Sequence, residues 1–325
     1  MKAIAVMTKG SDPVYVEKYE QPLPKNDGEI RIHVKAVSIK NLDRAIASGK
    51  HYSAQTAEFV PRVIGTDGVG LLDDKTRVYG FGMTGMLAEK ALVKKNSLVM
   101  IPDGLSNELA AALPNALMGS VIALMLRAKL QKGQHVLING ATGITGKVAI
   151  QMAKYYGASK VSVTGRNEEV LSSLLDLGAD TLVSLKQSEG DFIEQIKAID
   201  SESPVDIVID YLWGHSAKMI LEALKGKGHY THKTKFVNVG AMSGDLMELS
   251  SSILRGTDIQ LLGSGLGSWN DEEVKIFFKA LLPEAFNLAA AGTLKMDISV
   301  YPMTAIDEVW NPSVMWNSRL VFTVD

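Results

Sequence analysis

The rhythm of apolar and polar positions changes once along the chain, near residue 115. Before that point the period is two. In "IRIHVKAVSI", Ile30, Ile32, Val34 and Ala36 alternate with Arg31, His33 and Lys35. That is the pattern of a strand with one face buried and one in water. Shorter pieces of the same kind, "TRVYGFG" and "EKALV", follow between Gly, Asp and Lys. A β-rich domain with few helices is predicted for this part. After residue 115, apolar runs alternate with helical patterns. "HVLI" precedes a helix from Lys147, "KVSVT" one from Glu168, "TLVSL" one near Asp191, and "VDIVID" one from Ser216. "KFVNVG", a helix near residue 250 and "IQLLG" complete the series. Strands alternating with helices predict a parallel sheet covered on both faces, and near-continuous apolar strands such as "VDIVID" fit that burial. A long helix is expected over 271–292, closed by Gly292. The strand-like "MDISVYPM" and "RLVFTV" are expected to return to the first domain. The class is α/β, a doubly wound parallel sheet beside a β domain, with 1–115 and 266–325 forming one domain and 116–265 the other.

The second domain opens with "HVLINGATGITGKVAIQMAK". A strand meets a glycine turn and a helix begins at once, the arrangement that holds a dinucleotide pyrophosphate on a helix N-terminus. In Ala141-Thr142-Gly143-Ile144-Thr145-Gly146, glycine at 143 lets backbone approach the phosphates. Glycine at 146 lets the helix pack closely on the sheet. The nucleotide is chosen at the end of the next strand. An acidic residue there would bind the ribose 2′-hydroxyl of NAD. Here "VTGRNEE" places Gly165 at that position and Arg166 after it. A glycine leaves room for a 2′-phosphate and a guanidinium can clamp one, so NADP(H) is the expected cofactor. Thr164 and Asn167 are further candidate phosphate contacts. Glu168 and Glu169 suit the first turn of the following helix.

Composition narrows the chemistry. The 325 residues carry a formal net charge of −2 and no cysteine. Disulfides, thiolate nucleophiles and cysteine-ligated zinc are thereby excluded. No global field favours nucleic acid or an anionic membrane. The one basic cluster, "KGKGHYTHKTK" over 225–235, has only Tyr230 as an interleaved aromatic and reads as a solvated turn. The apolar stretch from Ala110 to Leu126 is interrupted by Pro114, Asn115, Gly119 and Ser120 and reads as buried, not membrane-spanning. "MKAIAVMTKG" lacks the features of a signal peptide, so a cytoplasmic location is expected.

Several segments carry a family resemblance: "VKAVSIKNLDRAIASGKHY", "PRVIGTDGVG", "DGLSNELAAALPNA", "LQKGQHVLINGATGITG", "VIDYLWG" and "LLGSG". In these the chain resembles the zinc-free quinone oxidoreductase (zeta-crystallin-like) branch of the medium-chain dehydrogenase/reductase superfamily. The family often has Gly-Gly-Val-Gly where this chain has Gly143-Ile144-Thr145-Gly146. The resemblance implies a GroES-like β domain split around an inserted Rossmann domain, a cleft between them, and a homodimer joined through the strand at 259–264. Where zinc-dependent relatives carry their first cysteine this chain has Ser38, and at their "GHE" it has Gly65-Thr66-Asp67. No metal site is expected.

Hydride addition to a quinone or an α,β-unsaturated carbonyl gives a delocalised oxyanion that hydrogen-bond donors can hold without metal. The resemblance places candidate donors in "KNLDRAIASGKHY". Lys40 stands where the family commonly has Asn, Asn41 follows it, and Tyr52 falls at an aromatic position near the nicotinamide. Asp43 is read as holding a loop. Backbone at Gly240 and Ala241, and at Gly263, Ser264 and Gly265, is expected to hold the nicotinamide ring at the carboxyl edge of the sheet. An NADPH-dependent reductase of quinones or enones is the leading expectation. An enoyl-thioester or alkenal double-bond reductase, or a non-catalytic NADPH-sensing or RNA-binding protein, is the alternative.

Overall fold

The computed structural model describes residues 1–49, 59–226, 228, 230–310 and 318–325. The chain divides into two compact units, Met1–Asn115 with Phe278–Asp325, and Ala116–Phe277. The second border lies beyond residue 265. The reason is local: Arg127 donates to the Gly263 carbonyl at 2.9 Å and pairs with Glu273 at 3.2 Å. Those contacts tie the helix Asp271–Ile276 to the second unit.

The first unit begins with β1 (Ala3–Val6), β2 (Val14–Val16), β3 (Glu29–Ser38) and the short helix α1 (Asn41–Ala47). It continues with β4 (Arg62–Val63), β5 (Asp67–Leu71), β6 (Arg77–Phe81), β7 (Lys90–Lys94) and β8 (Val99–Met100). The helix α2 (Asn107–Leu117) ends this segment. β3 realises the predicted alternation. Ile32, Val34 and Ala36 are buried, and Arg31, His33 and Lys35 are partly exposed between them.

The second unit carries β9 (His135–Asn139), α3 (Ile144–Tyr155), β10 (Lys160–Gly165), α4 (Glu168–Ser173), β11 (Thr181–Ser184) and α5 (Glu189–Glu202). Then come β12 (Ile207–Asp210), α6 (Gly214–Ala223), β13 (Thr234–Asn238), α7 (Ser251–Gly256) and β14 (Ile259–Gly263). These six strands form one sheet in the order β11-β10-β9-β12-β13-β14, every pair parallel. Strand order reverses at β9, where a parallel sheet opens a crevice at its carboxyl edge. The predicted helix over 271–292 is present as consecutive helical segments ending at Ala290, with Gly292 at φ +75°, the left-handed stop that glycine supplies.

β15 (Ile298–Pro302) and β16 (Arg319–Thr323) return to the first unit. There they join a seven-stranded mixed sheet, β15-β16-β3-β5-β6-β8 with β7 on β3, beside a small β2-β1-β4 sheet. The fold is thus α/β, a doubly wound parallel sheet plus a separate largely antiparallel β unit. Each unit has its own core: Ile32, Val34, Leu87 and Phe322 in the first, and Leu137, Phe192, Val208 and Phe236 in the second. The run Asn107–Arg127 is long and apolar enough to cross a membrane by length and composition, yet 72% of its most apolar window is buried, as the core helix of a globular unit would be.

Candidate functional site

The glycine turn follows β9 directly. Gly140 turns the chain at φ +85°, and a side chain there would strike Leu212 at 2.7 Å. Helix α3 starts at Ile144, earlier than the expected Lys147. Its N-cap is Gly143 in extended geometry with no side-chain cap, so the sequence carried no capping signal. The first helical bond runs from Lys147 N to Gly143 O at 3.0 Å. The N–H groups of Ile144, Thr145 and Gly146 therefore have no acceptor within the helix. A Cβ on Gly146 would lie 2.5 Å from Ala141 Cα, whereas one on Gly143 would meet nothing closer than 4.0 Å. The two glycines thus do different things. Gly146 is required by packing. Gly143 is exposed, and it leaves open space above the unpaired N–H groups where an anion gains most.

The end of β10 is more crowded than expected. Gly165 is buried, and a side chain there would overlap the Thr142 methyl and come within 3.1 Å of Leu171. The glycine makes room for Thr142 first. Thr164 is fully buried, its hydroxyl donating to Asn139 Oδ1 at 2.6 Å and accepting from Gly140 N at 3.0 Å. That corrects its reading as a phosphate contact: it braces the turn from behind. Asn167 caps α4 by accepting from Val170 N at 3.2 Å, which leaves only its amide N–H groups for a phosphate. Arg166 is exposed and makes no hydrogen bond or ion pair with another described residue.

At the other end of the sheet, Gly240 sits against the Tyr211 carbonyl, where a Cβ would come within 2.8 Å. Ala241, Gly263 and Gly265 are exposed, so their backbone is accessible. Ser264 is buried, its N–H on the Asn238 carbonyl at 2.8 Å and its hydroxyl taken by Trp269 Nε1 at 3.1 Å. Gly119, which sequence patterns left without a role, lets its helix approach the turn: a Cβ there would lie 2.9 Å from the Thr145 methyl. Its carbonyl accepts from the Tyr211 hydroxyl at 3.1 Å.

In the first unit Ser38, Lys40, Asp43 and Asp67 form a buried polar cluster. Lys40 is 3% exposed. Its ammonium donates to the Ser38 carbonyl at 2.9 Å and to Asp67 Oδ1, and it lies 3.1 Å from Asp43 Oδ2. Three partners use all three N–H donors of an ammonium. Burial alone would lower the Lys40 pKa, but Asp43 and Asp67 outweigh it and hold it above the ordinary value of 10.5. The expectation of Lys40 as donor to a substrate oxyanion is corrected by this geometry. Asp67 also accepts from Thr66 Oγ1 at 2.8 Å and from the Tyr79 hydroxyl at 2.6 Å. Burial and the Asp67 charge push that phenol well above its usual range. Asp43 accepts from the N–H groups of Lys40 and Thr66, each at 2.8 Å, so its loop-holding role is observed. Asn41 is the first residue of α1 and its side chain is exposed. Tyr52 lies outside the described residues. Among the described residues no group of three or more His, Cys, Asp or Glu is placed to hold a metal ion.

Residues 145–281 match a family model described as zinc-binding dehydrogenase. The chain is 25% identical over 285 residues to quinone oxidoreductase-like protein 2 of Rattus norvegicus, covering 85% of this chain and 79% of that protein. It is 27% identical, with 99% of each chain covered, to a protein of Emericella nidulans named as a probable NADPH-dependent quinone reductase. Among solved structures, the quinone oxidoreductase of Thermus thermophilus, crystallised also with NADPH, superposes with a TM-score of 0.75. It is 23% identical, with all of each chain covered, and at that identity the likeness speaks for the fold.

Proposed function

We propose that this chain, a quinone oxidoreductase-like member of the medium-chain dehydrogenase/reductase superfamily, moves a hydride from NADPH to a quinone or an α,β-unsaturated carbonyl. The observation that carries the reading is the open face of Gly143 over three N–H groups with no acceptor in their helix, with the Arg166 guanidinium, which makes no ion pair among the described residues, after the neighbouring strand. A pyrophosphate fits the first feature and a ribose 2′-phosphate the second. NADPH, when bound, supplies the hydride. Ile144, Thr145 and Gly146 would hold its pyrophosphate, Arg166 its 2′-phosphate, and backbone at Gly240–Ala241 and Gly263–Gly265 its nicotinamide half.

Asn41, exposed at the start of α1, is the oxyanion donor in this reading. Lys40 is a positioning residue. It neutralises Asp43 and Asp67, and through them it anchors both the α1 N-terminus and the Thr66 backbone. A delocalised phenolate or enolate needs only such hydrogen bonding, which favours activated acceptors over simple carbonyls. The exposed edge strand β14, with Leu261 38% exposed, is the surface through which we propose two copies pair. The test of the cofactor reading is direct binding of NADPH and NADH. Wild type is expected to prefer NADPH, and Arg166→Ala to lose about 10- to 100-fold in NADPH affinity with little change for NADH. Equal loss for both would refute the assignment.

A further inference from the structure

The carboxyl edge of the parallel sheet is closed by a row of polar side chains. Each ends, or nearly ends, its strand: Thr164 on β10, Asn139 on β9, Asp210 on β12 and Asn238 on β13. The last three lie side by side, because Asp210 pairs in register with Asn139 on one side and Asn238 on the other. Thr164, Asn139 and Asp210 are fully buried.

Their hydrogen bonds form one continuous chain. The Thr164 hydroxyl donates to Asn139 Oδ1, and Asn139 Nδ2 donates to Asp210 Oδ1 at 2.8 Å and to Ser216 Oγ at 3.0 Å. Asn238 Nδ2 donates to Asp210 Oδ2 at 3.1 Å and to the Gly240 carbonyl at 2.8 Å. Asp210 also accepts from Leu212 N at 3.0 Å and, with both oxygens, from Trp213 N at 3.1 Å. Four N–H groups thus hold one buried carboxylate, although burial pushes its pKa above the ordinary value. An unmet buried acceptor is costly, so this arrangement specifies where its donors must be.

What it specifies is a strained turn. Trp213 sits at φ +56°, a conformation that non-glycine residues adopt only where their surroundings enforce it. Asp210 holds this turn by accepting from the N–H groups of Leu212 and Trp213. The following Gly214 lies against the Ser243 carbonyl, where a Cβ would come within 3.1 Å. Ser243 N in turn donates to Leu212 O at 2.8 Å. The turn over 211–214 and the loop over 240–244 are therefore set together. The opposite end of the chain touches the phosphate turn, through Gly140 N on the Thr164 hydroxyl.

We propose that Asp210 is the positioning residue for the nicotinamide half of the cofactor site, setting the Gly240–Ala241 backbone through Asn238 and the 211–214 turn, while Thr164 and Asn139 set the phosphate half. This rests on the NADPH reading above. Asp210→Asn keeps the shape, but it removes one acceptor oxygen and turns an NH2 group toward N–H donors. The damage should fall mainly on the nicotinamide side, where Leu212, Trp213 and Asn238 donate to Asp210, because Asn139 keeps its bonds to Thr164 and Ser216.

The test titrates NADPH and adenosine 2′,5′-bisphosphate, which lacks the nicotinamide half, into wild type and into Asp210→Asn, Asn238→Ala and Thr164→Val. Asp210→Asn and Asn238→Ala are expected to weaken NADPH about tenfold or more and the bisphosphate by less than about twofold. Thr164→Val is expected to weaken both ligands by the same factor. Asn238→Ala cuts only one arm of the carboxylate, so it carries the test if Asp210→Asn does not fold. Equal loss of both ligands in those two variants, or loss of neither, overturns the inference alone. Wild type that binds neither ligand overturns the NADPH reading and the inference with it.

Discussion

At Gly165 the side chain that NAD-specific proteins would place is blocked by Thr142, whose methyl group lies over the missing Cβ. Gly165→Asp alone is expected to lower stability, with no gain in NADH affinity. Gly165→Asp combined with Thr142→Ala should recover stability and bind NADH more tightly than wild type does. Thermal melts and cofactor titrations of both variants check it. Lys40 supplies a second prediction. Lys40→Met leaves Asp43 and Asp67 buried without their cation and should cost about 3–5 kcal/mol in urea unfolding. The Lys40 pKa in the folded chain is raised above 10.5. The stabilisation is therefore complete below the unfolded value and fades as pH rises through the higher folded one. On the alkaline side, the gap between wild type and Lys40→Met should narrow above about pH 10.5. The sequence showed Lys40 in a candidate donor segment, but not that Asp67, on a separate strand, consumes its donors. A pairing between β5 and the end of β3 leaves no local pattern to read.

Among the elements, the strand–turn–helix of β9 and α3 was legible because its cues are local: an apolar run, spaced glycines and helical periodicity. Packing divides the glycines further. Gly146→Ala would press on Ala141 and should unfold the turn. Gly143→Ala meets open space, so its melting temperature should stay within a few degrees while NADPH affinity falls about tenfold or more. NADPH bound as tightly by Gly143→Ala as by wild type would mean that the turn is only a corner. The row of polar strand ends was visible as letters, in "HVLIN", "VDIVID" and "KFVN", but only the parallel register brings Asn139, Asp210 and Asn238 together. Reading one strand at a time weighs apolar runs and passes over the residues that close them. The start of α3 was misplaced for a related reason: backbone geometry at Gly143, not a side chain, caps it.

For the molecule as a whole, the alternation of period-two and βα segments was enough to read the class and the return of the final strands. The contacts of Arg127 with Gly263 and Glu273, which keep the helix Asp271–Ile276 with the second unit, had no such signature. The edge strand β14 bears on assembly: if two copies pair along it, Leu261→Arg should reduce the mass seen in sedimentation to that of one chain, with the fold intact by circular dichroism. The reaction itself is tested by the initial rate of cofactor oxidation with NADPH and with NADH, each offered a quinone, an alkenal, an enoyl thioester and a simple saturated aldehyde. Turnover is expected with NADPH on the quinone or the alkenal, at least about tenfold slower with NADH, and absent on the saturated aldehyde. Bound NADPH that no activated acceptor oxidises would contradict the proposed hydride transfer, and equal rates with both cofactors would contradict its assignment to NADPH.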